Sequence, residues 1–205
     1  DEGPSEALPD APPADVPAPA PRTRTRGFPV PDLTGVVATL KGDMADRSFR
    51  DAIVQIAVER VSGLLTIRYP DGRTRYGFWY KGGPVGWRTD PLQETEVLGV
   101  LLYQAKQLGK QQVADSLALM AKTGTRQGEA FMEMGVLTFP QLIMVLGKQV
   151  EFILQRAMKE RKGTWSFHVL DALPEKFLPP PLKVPSLLYR GLLSVGRDMR
   201  ATELA

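Results

Sequence analysis

A turn signal between two β-rich runs constrains the fold of this chain more than any other feature. Pro70-Asp71-Gly72 joins the runs 64–69 and 73–81, which are rich in aliphatic and aromatic residues. Such a turn closes antiparallel strands, because proline presets one turn angle and glycine accepts a positive φ. A second turn, Lys81-Gly82-Gly83-Pro84, leads into a third run at 85–88. The sequence therefore predicts a three-stranded antiparallel meander.

Helical periodicity flanks this meander on both sides. Ser48 resembles an N-cap, and the apolar spacing after it predicts a helix over 49–60. Asp90 and Pro91 have the residue types of an N-cap and a first helical position, so a helix is predicted to start there and to end at Gly109. Further elements are predicted as helices over 110–122, 126–133 and 139–161, a strand over 165–170 and a last helix over 186–195.

These elements predict an α+β fold in which a small antiparallel β-meander packs with helices, including two consecutive α-hairpins, with a C-terminal helix added. The folded domain is predicted over 27–178. Residues 1–26 are rich in proline, alanine and acidic residues, which predicts a disordered linker and a further domain before it. Residues 179–205 are predicted to form a proline hinge and the C-terminal amphipathic helix.

The absence of cysteine and the single histidine limit the chemistry of the chain. They exclude a disulfide framework, thiol catalysis and zinc sites built from several imidazoles, and they argue against Ser-His-Asp catalysis. We therefore expect neither an enzyme nor a metal site. No apolar run approaches the roughly 18–20 residues that cross a bilayer, so the sequence predicts no membrane span and a cytoplasmic location.

Aromatic and basic residues alternate in the meander, as in proteins that stack nucleobases. In the predicted strand 73–81, Tyr76, Phe78 and Tyr80 lie on one face, opposite Arg75 and Trp79. We expect one of these faces to belong to the core. The sequence therefore favours a structural role for this hairpin over nucleic-acid binding.

The middle of the chain contains an internal repeat. Val97-Leu98-Gly99-x-x-Leu102 aligns with Arg126-Gln127-Gly128-x-x-Phe131, which lies 29 positions later. Further on, Val113 aligns with Leu142 at the same offset. Two stacked α-hairpins that bury a shared apolar face would produce this pattern over residues 97–149. The alternative is that two hairpins of similar length look alike by chance.

The second unit of the repeat resembles the 24-residue motif of the cyclic di-GMP-binding N-terminal domain of bacterial pilus and secretion ATPases. That family uses two such motifs separated by five residues, and the resemblance implies that an arginine and nearby backbone groups hold guanine between apolar walls. The residues implied in ligand binding are Arg126, Gly128, Phe131, Gly135, Leu137, Leu142 and Leu146 in the second unit and Leu98, Gly99 and Leu102 in the first. The chain departs from the motif at Val97, where the family has an arginine, and at Gln127 and Phe131, which replace leucines.

A second resemblance covers residues 44–172. It rests on Phe49-x-Asp51-Ala52-Ile53, Ser62-Gly63-Leu64-Leu65-Thr66-Ile67, Trp79-Tyr80-Lys81-Gly82-Gly83-Pro84-Val85 and Gly163-Thr-Trp165-Ser-Phe167. This order of motifs is similar to the PATAN-type domain of bacterial signalling proteins. The resemblance implies a role in protein–protein interaction.

Together these features predict a non-catalytic cytoplasmic signalling module that acts as a scaffold or adaptor in a bacterial regulatory protein. The last helix is expected to dock on a protein partner or on the body through Leu188 and Leu192. The alternative function is a cyclic di-GMP receptor that uses the repeat 97–149. No cofactor is expected in either case, and cyclic di-GMP is the ligand only in the second.

Overall fold

The structure of the chain is a computed structural model, which describes residues 28–46, 48–174, 177, 180, 182, 184–191 and 193. The predicted linker, residues 1–26, lies outside the described residues. Leu192, one of the two residues expected to dock on a partner, lies outside them as well. None of the helices within the described ranges has the length and hydropathy needed to cross a membrane.

A single five-stranded antiparallel sheet organises the described fold. Its strands are β1 (Leu40–Asp43), β2 (Gly63–Arg68), β3 (Thr74–Tyr80), β4 (Gly83–Asp90) and β5 (Thr164–Val169). Their order in the sheet is β1-β5-β2-β3-β4. The predicted meander is confirmed as β2–β4, and β5 and β1 extend it beyond β2.

The described residues also form five α-helices, and residues 184–191 are helical as well. They are α1 (Ser48–Glu59), α2 (Leu98–Gln104), α3 (Lys110–Thr123), α4 (Gln127–Glu133) and α5 (Phe139–Lys159). The α+β class, the two consecutive α-hairpins and the C-terminal helix are therefore confirmed.

Two predicted helix starts need correction. α1 includes Ser48, one residue earlier than the sequence predicts. The helix expected to begin at Asp90 is wrong: Asp90 ends β4, where it lies opposite Thr74 in the ladder, and α2 begins only at Leu98. Strand pairing therefore overrode the local helix signal of an Asp-Pro pair.

The principal core lies between one face of the sheet and the helices α1, α5 and 184–191. Its most deeply buried members are Phe49, Ile53, Ile56, Leu65, Ile67, Trp79, Leu154, Ala157, Phe167 and Leu187. Leu188 belongs to the same core and is only 8% exposed. The C-terminal helix thus packs on the body through Leu188, which is one of the two alternatives that the sequence left open.

The second face of the sheet is covered by irregular chain rather than by helices. Leu64, Phe78 and Val85 are buried there. Over them lie the segment that contains Leu170, Leu173 and Phe177 and the segment 28–33, which we call the N-terminal strap. One face of β3 belongs to the principal core, as expected, and the structure shows that its second face is covered as well.

Helix α5 belongs to two cores. Its first half contributes Leu142 and Val145 to a core between the two hairpins. Its second half contributes Ile153 and Leu154 to the principal core. This long helix therefore joins the hairpin repeat to the sheet.

Candidate functional site

The two hairpins have the same backbone geometry at equivalent positions. α2 and α4 begin at residues 98 and 127, and α3 and α5 begin at residues 110 and 139. Both pairs differ by 29 positions, as the sequence alignment does. Lys106 and Gly135, also 29 positions apart, both have left-handed backbone, with φ of +55° and +67°.

Hydrogen bonds in the two hairpin turns match one by one. The amide of Gln107 donates to the carbonyl of Leu102 at 2.9 Å, and Val136 donates to Phe131 at 2.9 Å. At the starts of α3 and α5, Gln112 and Gln141 accept a hydrogen bond from the backbone N–H three residues earlier, at 2.9 and 2.8 Å. The two hairpins therefore share one turn geometry at the offset that the sequence alignment gives.

The residues expected to form apolar ligand walls pack against one another. Leu98, Leu102, Phe131 and Leu142 are between 0% and 6% exposed and form the core between the hairpins. Leu137 and Leu146 are half-buried against this same core, and Gly135 lies at the hairpin turn. In this arrangement the set provides hairpin-to-hairpin contact.

Close helix packing explains Gly99 and Gly128. A Cβ on Gly128 would lie 2.7 Å from Leu142 Cδ1, and a Cβ on Gly99 would meet the side-chain amide of Gln127. That amide is buried: its oxygen accepts the Gly99 N–H at 2.9 Å, and its nitrogen donates to Ser116 Oγ at 3.1 Å. Gln127, which the sequence showed only as a departure from the motif, and Ser116, which it did not single out, therefore link the two hairpins by hydrogen bonds.

Arg126 lies apart from the apolar set. It precedes α4, and its backbone N–H donates to Glu129 at 2.8 Å. Its guanidinium carbon lies 4.6 Å from the centre of the Phe28 ring, which belongs to the N-terminal strap. The residue expected to hold guanine therefore contacts the segment that covers the second face of the sheet.

A buried ionic network was missed by the sequence analysis. Arg75 on β3 is fully buried and donates to Glu96 at 2.6 Å and to the Tyr69 hydroxyl at 2.8 Å. Glu96 also accepts a hydrogen bond from Thr89 at 2.7 Å, and Glu160 lies 3.2 Å from Arg75. The sequence did contain one indication of this network: in the predicted strand, the charged Arg75 lies on the same face as Trp79.

This network anchors the connection between the sheet and the hairpins. Glu96 lies in a short 3₁₀ turn, Glu94–Glu96, that precedes α2. Gln149 on α5 donates to the backbone carbonyl of Glu96 at 2.7 Å, and Arg156 donates to Thr95 at 2.9 Å. Side chains from β3, β4 and α5 therefore converge on one turn.

Burial and charge shift several pKa values in this region. Burial raises the pKa of the Tyr69 hydroxyl far above its usual value of 10.0. Burial alone would lower the pKa of Arg75, but the neighbouring Tyr69, Glu96 and Glu160 outweigh it and raise that pKa. Hydrogen bonds from Arg73 lower the pKa of the exposed Asp71. Both shifts favour the protonated form, so at neutral pH Arg75 is charged and Tyr69 is neutral.

The exposed surface of the repeat is asymmetric. At the start of α5, Phe139 and Met144 are 52% and 56% exposed, and Pro140 is also exposed. The equivalent positions at the start of α3 are Lys110, Gln111 and Asp115, which are exposed as well. Equivalent backbone therefore carries apolar side chains in one hairpin and polar ones in the other.

The other polar residues that were potential catalytic or metal-binding groups do not form a common site in the described part of the chain. Glu151 pairs with Arg190 at 2.9 Å, and Glu129 accepts the Arg126 N–H described above. His168 is buried on β5, and its Nδ1 has no hydrogen-bond partner among the residues that the structure describes. Within the described ranges, no group of three or more histidine or acidic side chains is arranged to hold a metal ion.

The aromatic hairpin provides no stacking platform. Phe78 and Trp79 are fully buried, Trp87 is 8% exposed and Tyr76 is half-buried. Tyr80 is the exposed member of this group of five. The structural role favoured by the sequence agrees with these positions.

Comparisons of the chain with protein-family models, with curated proteins and with solved structures found no significant match.

Proposed function

We propose that this chain is a non-catalytic protein-interaction module of a bacterial signalling protein, working as a cytoplasmic scaffold or adaptor. The resemblance to PATAN-type domains supports this proposal. The observation that carries it is the apolar surface formed by Phe139, Pro140 and Met144 at the start of α5, which we call the α5 surface.

The first hairpin acts as an internal reference for this surface. Lys110, Gln111 and Asp115 occupy equivalent exposed positions, so the hairpin geometry accepts polar residues there. An aromatic side chain buries roughly 150–250 Å² when covered, so Phe139 leaves on the order of 100 Å² of apolar surface in water. At about 25 cal/mol per Å², covering it contributes about 2.5 kcal/mol to an association. Large exposed apolar patches mark protein-binding sites, and the proposal takes these three residues as the centre of such a patch.

The interior supports a non-catalytic role. The buried ionisable side chains Arg75 and Glu96 contact each other, and Glu160 and Tyr69 complete their surroundings. Catalytic groups instead converge on a space where a substrate can reach them. Here the geometry fixes a turn between two parts of the fold.

The proposal is tested by giving the α5 surface the residues of the first hairpin. We expect the Phe139→Lys, Met144→Asp double variant to lose binding partners that the wild-type chain recovers from extracts of the producing organism. Val58→Asp, at a position on α1 that is 75% exposed, is the matched control and should recover the same partners as wild type. Each recovered protein is then purified and titrated against the three chains.

Recovery of the same partners with equal affinity by all three chains would contradict the assignment of the α5 surface. Circular dichroism of each variant serves as the folding control. Because the changed side chains are exposed, the melting temperature should shift by only a few degrees.

The alternative function is a cyclic di-GMP receptor, which the paired hairpins with their 29-residue offset favour. Binding through Arg126 would require its guanidinium to leave the Phe28 ring, and the first unit has Val97 in place of an arginine. We therefore expect weak or no heat on calorimetric titration, and Arg126→Ala should remove any residual binding. Submicromolar binding that survives Arg126→Ala would show that this site assignment is wrong.

A further inference from the structure

The N-terminal strap occupies an apolar groove on the second face of the sheet. Val30 and Leu33 pack against the buried residues of that face, together with Phe28. The Phe28 ring lies 4.7 Å from the ring of Phe177 and 5.8 Å from that of Phe78, measured between centroids. The strap thus binds by inserting side chains between the sheet and the neighbouring segment.

Gly86 on β4 provides the space for this aromatic contact. A Cβ at Gly86 would lie 2.6 Å from Phe177 and 3.2 Å from Phe28. The groove is therefore shaped to accept an aromatic ring at this end. Its floor is the fully buried Phe78 ring.

Two guanidinium groups flank the aromatic end of the groove. Arg88 donates to the backbone carbonyl of Phe28 at 3.0 Å and pairs with Asp90 at 2.9 Å. Arg126 stacks over the Phe28 ring from the side of the hairpin repeat. These contacts recognise an aromatic residue together with its main-chain carbonyl.

The backbone of the strap is not part of the sheet. All residues from 28 to 33 are described, and none of them pairs with a strand. The strap side chains Phe28, Val30 and Leu33 are only half-buried. A segment held mainly by side-chain contacts opens at a lower free energy than a paired strand does.

We propose that this groove is a peptide-binding site which the strap occupies in cis, and that its partner in trans is an extended protein segment with the same chemistry. That chemistry is an aromatic residue followed by proline and an aliphatic residue, as in Phe28-Pro29-Val30. The partner displaces the strap and takes over its contacts with Arg88 and Arg126. This inference concerns a surface separate from the α5 surface and stands independently of it.

The covalent attachment of the strap determines how strongly it competes with an added peptide. A segment joined by a short linker competes at an effective concentration in the millimolar range. A peptide added in trans therefore binds the wild-type chain weakly, because the strap occupies the groove. Releasing the strap should make the same peptide bind at least tenfold more tightly.

The experiment measures fluorescence anisotropy of a labelled peptide with the sequence of residues 26–35, titrated with the full chain. We expect Phe28→Asp and Leu33→Asp, which each release one end of the strap, to bind it at least tenfold more tightly than wild type. Adding Arg88→Ala to either variant should weaken binding about tenfold, since the hydrogen bond to the peptide carbonyl is lost. Two releasing variants are used so that a folding failure of one leaves the test intact.

Controls separate this inference from the proposed function. A peptide with aspartate in place of the phenylalanine should not bind any chain. The Phe139→Lys, Met144→Asp variant should bind the peptide as wild type does. Equal affinity of the wild-type chain and a folded releasing variant would overturn the proposal. Dimerisation of the wild-type chain at the peptide-binding concentration, seen by sedimentation, would assign the groove to the strap of a second copy and would also overturn it.

Discussion

Arg75 is the most deeply buried charged residue described in this chain. Its side chain is fully buried, so its charge depends on Glu96 and Glu160 for compensation. Removing one partner from a buried ion pair leaves an uncompensated charge, which is costly in a region of low dielectric constant. The network therefore makes individual side chains important to stability even though no catalytic role is inferred for them.

We expect Glu96→Ala to lower the free energy of unfolding by about 3–5 kcal/mol, the range for a broken buried ion pair. The variant also leaves Thr89 without its acceptor. Glu94→Ala is the matched control, because Glu94 lies in the same turn but is exposed; it should change stability by less than about 0.5 kcal/mol. Urea denaturation measures both values, and equal values for the two variants would exclude this role of Glu96.

Tyr69 gives the network a dependence on alkaline pH. Because burial raises the pKa of Tyr69 in the folded state, the unfolded chain loses this proton first as the pH rises. The folded state then binds more protons than the unfolded state, so its stability falls with increasing pH above about 10. Below that pH the contribution of Tyr69 is fully present.

We expect Tyr69→Phe to be less stable than wild type by about 1.5–3 kcal/mol at pH 8, since a hydrogen bond to the Arg75 guanidinium is lost. The difference in free energy of unfolding between the two proteins should decrease above pH 10. In that range only the wild-type chain loses stability through ionisation of Tyr69. Urea titrations from pH 8 to 11 measure this difference. Parallel stability curves across that range would mean that Tyr69 ionises equally in both states.

At the scale of elements, the two hairpins show one backbone design with different residues. Lys106 and Gly135 adopt the same left-handed turn, although only glycine does so without a steric penalty. The hydrogen bonds around both turns are equivalent, so the hydrogen-bonded turn holds Lys106 in a conformation that glycine adopts freely. Substitutions at these two positions therefore measure the energetic cost of the left-handed conformation independently in each hairpin.

We expect Gly135→Ala to destabilise the protein by about 1 kcal/mol, because the left-handed penalty exceeds the entropy gained from losing glycine. Lys106→Gly should instead stabilise it by up to about 1 kcal/mol through relief of the same strain. Thermal unfolding of both variants measures the two effects. Changes of the same sign at the two positions would show that the turns are not energetically equivalent.

At the scale of the whole molecule, α5 contributes to both the hairpin core and the principal core, so we expect the hairpins and the sheet to unfold as one cooperative unit. The three tryptophans, Trp79, Trp87 and Trp165, all lie in the principal core, and none lies in the hairpins. Tryptophan fluorescence therefore reports on the sheet, whereas circular dichroism at 222 nm reports mainly on the helices. Comparing the two signals shows whether the sheet and the hairpins unfold together or separately.

We expect Leu142→Ala, a cavity-forming change in the hairpin core, to lower stability by about 2–5 kcal/mol. Because α5 passes through both cores, the fluorescence and circular dichroism transitions should shift together. A fluorescence midpoint that stays at the wild-type value while the helical signal shifts would show two independently unfolding parts.

Signals between neighbouring residues determined much of the fold from sequence alone. Pro70-Asp71-Gly72 predicted the β2–β3 hairpin, helical periodicity predicted a helix over 139–161, and the 29-residue spacing predicted the paired hairpins. Each of these depends on contacts within a few residues or on a repeated pattern. The physical information is therefore present in a short stretch of chain.

Tertiary structure alone decided which distant residues meet. Leu40 of β1 pairs with Phe167 of β5, and Arg75 meets Glu160, although long stretches of chain separate the members of each pair. The apolar residues of the repeat had two physically acceptable uses, as ligand walls or as hairpin core, and only packing distinguished them. The sequence did not predict the strap over the second sheet face, because its few apolar residues show no helix or strand periodicity. Their role depends on the groove that the rest of the chain forms.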